Sequence, residues 1–208
     1  RELGIGEPIE GKYISRNLIN LHSYQHWFRN SGNRPDFMLV EIPAEENVRD
    51  DSPIKIRIKI IECKMGYHID TEKAMLQVRS GTDALSSCWS PDNTSISRRY
   101  WFTQLYRAIA FSKLGINSND DGFERADAKI FSILYGKFSI EWSGEIYAYD
   151  LTDKSDVSDT DEVEGNDVVP YITIHHSGQL YVQKKLLPDE FGGEMLEYSE
   201  PPEENEAH

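Results

Sequence analysis

The stretch Arg34–Met65, RPDFMLVEIPAEENVRDDSPIKIRIKIIECKM, decides how the rest of the chain is read. Pro35-Asp36 opens an apolar segment, Phe37 to Ile42, and Pro43 closes it; prolines at both ends bound a single strand, because proline cannot donate to a ladder. A polar, turn-prone link from Ala44 to Pro53 follows. Ile54 to Ile60 then alternates branched apolar with basic side chains, the period of a strand with one buried face. A hairpin is the simplest connection. Alternation puts Ile54, Ile56, Ile58 and Ile60 on one face, and the same parity carries through Glu62 and Lys64. On the partner strand Asp36 shares its parity with Met38, Val40 and Ile42. The spacing therefore predicts two carboxylates and an ammonium at one end of an apolar sheet face. Ionised groups are costly there unless they are paired or hold a cation. Hard oxygen donors without a His or Cys cluster favour Mg²⁺ or Mn²⁺ over Zn²⁺.

Pro35-Asp36, a hairpin, and then Glu62-Cys63-Lys64 resembles the active-site pattern of the PD-(D/E)XK nuclease superfamily, the fold shared by many restriction endonucleases. The resemblance covers roughly Arg34 to Leu85 and rests on Pro35, Asp36, Glu62 and Lys64. It implies an α/β fold: a restriction-endonuclease-like αβββαβ core, with a central mixed sheet flanked by helices. It further implies metal-dependent hydrolysis of DNA phosphodiesters, with Asp36, Glu62 and the backbone carbonyl of Cys63 holding Mg²⁺ or Mn²⁺ and Lys64 beside them. Gln77 follows the motif lysine by 13 residues and matches the glutamine that contributes to the site in part of the superfamily; an exposed helix glutamine is the other reading. Halves of the pattern recur at Pro91-Asp92, Pro188-Asp189, Glu10-Gly11-Lys12 and Asp127-Ala128-Lys129. Only Asp36 with Glu62 and Lys64 has both halves on strand-like runs in the right order; the alternative is a chance Pro-Asp turn and an ordinary strand-end ion pair.

The net charge of −14 opposes DNA binding, yet its distribution removes much of the conflict. Asp153 to Asp167 contributes −6 and Pro188 to His208 contributes −8, so the remainder holds 21 acids and 21 bases. A neutral core lacks the basic excess of a tight free-standing DNA binder, so weak intrinsic affinity is expected. With 11 Tyr, 8 Phe and 4 Trp the chain is a packed globule rather than a disordered one. No apolar run approaches a membrane span. The two cysteines, Cys63 and Cys88, give no disulfide framework and fit a reducing, cytoplasmic setting. Position 1 is Arg, which suggests a chain cut from a longer polypeptide.

Around the central stretch, Arg1 to Ile14 reads as loop, and Ser15 is a plausible cap for a helix from Arg16 to about Arg29. His22 and His26 stand at i and i+4 on it, a metal-compatible spacing, although an exposed polar face is the simpler reading. Asp70 or Thr71 caps a helix from Glu72 to about Leu85, on which Ala74, Gly81 and Ala84 align with Gln77 and allow close approach to the sheet. Arg79, Tyr67 and His68 lie where phosphate or solvent would meet them. A second helical pattern, Ser97 to Leu114, has Trp101, Leu105, Ala108, Ile109 and Phe111 as its apolar side, with Arg98, Arg99, Arg107 and Lys113 mostly outside it. Ala128 to Tyr135 reads as the next core strand. Phe138–Ala148 and Ile172–Val182 each read as two short strands around a Ser-Gly turn, forming a C-terminal β-hairpin extension. The expected organisation is a nuclease-like core over 1–136, a hairpin extension over 137–187 with a mobile acidic insert at 153–167, and a disordered acidic tail over 188–208.

The function expected from the resemblance is a DNA nuclease module of a larger restriction or phage-defence protein. Its partners would be DNA, further domains or a partner ATPase, and a second copy in a homodimer. The rival is a catalytically inactive nuclease-like domain used for assembly or nucleic-acid docking.

Overall fold

The computed structural model describes residues 13–28, 33–43, 47, 52–110 and 129–179. Among them is a mixed sheet of six strands in the order β1-β2-β3-β4-β6-β5. The strands are β1 (Tyr13–Asn20), β2 (Phe37–Pro43), β3 (Ile54–Gly66), β4 (Phe138–Asp150), β5 (Ser158–Glu164) and β6 (Tyr171–Gly178). β1, β2 and β3 form an antiparallel meander. The chain then passes through α1 (Thr71–Cys88) and α2 (Arg98–Ala110) and returns as β4, parallel to β3. β6 lies parallel to β4, and β5 closes that side antiparallel to β6.

The period-two reading holds through the meander: Ile54, Ile56, Ile58 and Ile60 are all buried, and Met38, Val40 and Ile42 join them in one core. Both described long helices pack on this face, α1 through Ala74, Val78 and Leu85 and α2 through Trp101, Phe102, Leu105 and Ile109. Asp70 caps α1, its carboxylate accepting from the Lys73 amide at 2.9 Å. Gly81 is buried with no room for a side chain, since a Cβ there would meet the Pro35 ring at 2.6 Å. The opposite face carries a smaller cluster, Leu39, Ile61 and Tyr147, with Leu18, Phe37 and Cys63 against it.

Four sequence expectations are corrected. The helix expected from Arg16 to Arg29 is instead β1 followed by a 3-10 segment, Leu21–Phe28. Ser15 is no cap; its hydroxyl donates to the Ile109 carbonyl at 3.0 Å, and the Asn17 amide donates to Ala108 at 2.7 Å, so β1 is pinned to the end of α2. The strand expected at Ala128–Tyr135 is helical over 129–131 and 3-10 over Ser132–Tyr135, with Ala128 outside the described residues. Ile130 and Ile133 are buried while Phe131 is exposed, a helical spacing that so short an apolar run does not disclose. Gly136, at φ 77°, ends it.

The third correction concerns the hairpin extension. β4 is one continuous strand in which Ser143 and Gly144 pair with Lys59 and Ile60, and it lies in the middle of the sheet. Gly144 marks a close approach rather than a turn, because a Cβ there would lie 2.7 Å from Val78. The second repeat likewise begins as one strand, β6; its return half, 180–182, lies outside the described residues. Finally, the acidic segment expected to be a mobile loop contains β5, an edge strand whose residues are mostly exposed. Carboxylates along an edge discourage pairing with another chain. The acidic tail, 188–208, lies outside the described residues.

Candidate functional site

Asp36 and Glu62 face each other because the β2–β3 ladder brings Phe37 opposite Ile61 and then stops. The carboxylates take over where the backbone pairing ends. The Asp36 amide donates to Glu62 Oε2 at 3.0 Å, and the Cys63 amide donates to Asp36 Oδ2 at 3.0 Å. Each acid is thus fixed by the other's strand. Lys64, two residues on and therefore on the same face as Glu62, donates from Nζ to Glu62 Oε1 at 2.5 Å and to Gln77 Oε1 at 2.8 Å. Gln77, on α1, donates from Nε2 to the Arg34 carbonyl at 2.8 Å. That bond fixes which end of the amide points at the ammonium. The Asp36 carbonyl accepts from the Leu21 amide at 2.9 Å, tying the 3-10 segment to the same place.

The four side chains named from the sequence therefore converge. Their environment is electrostatically unbalanced, with two carboxylates and one ammonium meeting at a face that leaves Glu62 only 1 % exposed. Burial raises the Glu62 pKa above its ordinary 4.5; the hydrogen bond from Lys64 opposes this, and the charge of Asp36 adds to the rise. Burial, followed by the charges of Asp36 and Glu62, pushes the Cys63 thiol up to about 11. Its side chain packs with the small cluster on the far side of the sheet, as its parity requires. Cys63 is thus a neutral thiol facing away from the carboxylates.

The donor set suits a hard divalent cation in kind. Each ionised carboxylate has about four lone-pair directions, and the protein hydrogen bonds described here use only part of that capacity. The third oxygen implied by the resemblance is the Cys63 carbonyl. Among the described residues, however, no group of three or more His, Cys, Asp or Glu side chains is placed to hold a metal.

Other sequence candidates do not join this cluster. His22 and His26 are exposed on either side of a kink at Tyr24 (φ −120°, ψ 36°), so no single helical face carries both. Arg79 donates to the Glu164 carbonyl, which ties α1 to β5. Tyr67 and His68 are exposed just beyond β3. Asp92 sits exposed in a turn, and Lys129 donates to the Asn47 carbonyl; Asp127, Phe111 and Lys113 lie outside the described residues. The Arg34 carbonyl was not legible in the sequence, because nothing local marks a backbone acceptor whose partner is 43 residues away.

Comparison with known proteins gives no match: no family model, no curated protein and no solved structure is similar to this chain. The fold is α/β, a six-stranded mixed sheet with helices packed on it. No described helix is long and apolar enough to cross a membrane.

Proposed function

We propose that Asp36, Glu62 and Lys64, with Gln77 in support, form the site of a Mg²⁺- or Mn²⁺-dependent deoxyribonuclease that hydrolyses phosphodiester bonds. The observation that carries this reading is the Lys64 ammonium held between Glu62 and Gln77 while Asp36 and Glu62 clamp one another's strands. A three-stranded meander followed by helices and a strand parallel to its last member also supports the restriction-endonuclease-like core that the resemblance implies. Its leading helix has no counterpart over 16–28, where β1 and the 3-10 segment stand.

Asp36 and Glu62, with the Cys63 carbonyl, would hold the cation, which supplies charge against the phosphoryl oxygens and acidifies water. Lys64 presents a fixed ammonium toward the same space. Such a donor stabilises negative charge developing on a phosphoryl oxygen without reorganising during the reaction. Gln77 keeps Nζ from swinging into solvent, and the Arg34 carbonyl keeps Gln77 from flipping. A place within a restriction or phage-defence assembly, with a partner ATPase or as a homodimer, follows from the resemblance alone.

The second reading, a nuclease-like domain that docks nucleic acid or assembles without cleaving, takes its support from the even balance of 21 acids and 21 bases outside the two acidic segments, which gives no basic excess for gripping DNA. Incubation of plasmid and linear single-stranded DNA with and without Mn²⁺ separates the two. The hydrolase reading predicts products from the wild type only with metal, and none from Glu62→Ala or from a folded Lys64→Ala. Wild-type cleavage by either variant removes that residue from the reaction, and no cleavage by any form leaves the docking reading.

A further inference from the structure

α2 and the helical segment before β4 form a second chemically distinct surface, at the other end of the sheet from Asp36 and Glu62. The Lys137 carbonyl accepts from Ile54 at the start of β3, whereas the site lies at Glu62, about 26 Å further along the strand at ~3.3 Å per residue. Tyr106 on α2 meets Phe131 edge to face at 6.1 Å, and Phe131 meets Tyr135 at 5.9 Å. Phe131 is 47 % exposed and Tyr135 66 %, so these two rings are open to solvent, while Tyr106 is half-buried and anchors the row against the core. Arg99 lies two helical turns before Tyr106, hence on the same side of α2. Arg99, Arg107 and Lys137 are exposed and make no ion pair among the described residues. Arg98 lies over the Phe102 ring and reaches the Tyr135 carbonyl at 3.5 Å, locking the two segments together.

The two segments that carry these rings are basic in sequence. Residues 93–110 and 129–140 contain five Lys and Arg and no Asp or Glu, in a chain of net charge −14. Exposed aromatic rings interleaved with unpaired cations meet two needs of one ligand, a stacking face for a base and a positive charge for a phosphate. Duplex DNA hides its base faces inside the helix, and an acidic peptide offers no bases to stack.

We infer that the surface formed by Arg99, Tyr106, Arg107, Phe131, Tyr135 and Lys137 binds single-stranded nucleic acid by base stacking and phosphate pairing. The inference goes beyond the hydrolase reading, because it needs neither a metal nor Asp36 and Glu62. If both hold, the surface grips a strand remote from the scissile bond.

Fluorescence anisotropy of a labelled oligothymidine in EDTA tests it. Wild type and Glu62→Gln should bind alike, Phe131→Ala and Tyr135→Ala about tenfold more weakly each, and Arg99→Gln with a salt slope smaller by about one. An oligonucleotide of abasic sites should bind more weakly than oligothymidine, and so should a duplex. Both aromatic positions are exposed, so thermal melts of the two variants should match the wild type. Undiminished binding by the Phe131→Ala/Tyr135→Ala double variant, or equal affinity for the abasic strand, would overturn the proposal. Loss of cleavage in Glu62→Gln with binding retained would bear on the hydrolase site alone.

Discussion

Glu62 pays for its position at the level of a single carboxyl group. It is almost wholly buried, faces Asp36, and has one ammonium for relief. Its folded pKa is raised, so between the ordinary value and the raised one the folded protein retains a proton that the unfolded chain releases. Over that window above 4.5, Glu62 makes stability fall as pH rises. Glu62→Gln should therefore remove this slope and raise the Tm of the metal-free protein at neutral pH, by about 2–4 °C for each kcal/mol relieved. The same substitution should abolish any stabilisation by Mn²⁺, the usual opposition between stability and a charged site. Melts across pH 4–8 with and without Mn²⁺ would show it, and a lower Tm for the variant at neutral pH would count against the burial argument. Gln77→Ala, which frees Nζ of Lys64 from its second acceptor, should lower cleavage about 10–100-fold, the scale of losses when a group supporting metal ligands is removed. Activity equal to wild type would return Gln77 to the status of an ordinary helix residue.

At the scale of elements, the site depends on how closely α1 lies against the Pro35-Asp36 segment. A Cβ at Gly81 would stand 2.6 Å from Pro35 Cγ and 2.7 Å from Cδ. Gly81→Ala should cost about 1–3 kcal/mol by overpacking. It should also lower cleavage further than the loss of stability explains, because the displaced ring carries Asp36 with it. Assays at a temperature where the variant remains folded, alongside its melting curve, would detect this; full activity would show that the helix can shift without moving the acid. β2 was legible from the prolines at its two ends, and β3, α1 and most of α2 because each follows one clean period or carries a recognisable cap, as at Asp70. β1 was not, because Leu18, Ile19 and Leu21 satisfy a helical as well as an extended reading. What decides it is the antiparallel ladder with β2, Asn17 opposite Val40 and Ile19 opposite Met38, with the Ser15 hydroxyl bonding to a carbonyl 94 positions away. Phe138–Ala148 misled for a related reason, since Gly144 carries the composition of a turn while its actual task is to admit Val78.

For the whole molecule, the non-local pairing of β4 with β3 is what the sequence could not announce. Parallel strands need no shared turn, so nothing local states that Ile54 lies beside Phe138 or Glu62 beside Ile146. The charge map was legible in outline, with the acidic 153–167 segment at the sheet's margin, where β5 forms its edge. The site itself was legible because parity along a strand is rigid: once β2 and β3 pair, Asp36, Glu62 and Lys64 must share an end and a face. Two carboxylates sharing one ammonium there should attract a divalent cation, and calorimetric titration of Mn²⁺ into metal-free protein at neutral pH measures that directly. The account predicts saturable binding by the wild type that is lost in both Asp36→Asn and Glu62→Gln. Absence of binding by the wild type, or binding undiminished by either substitution, would contradict it.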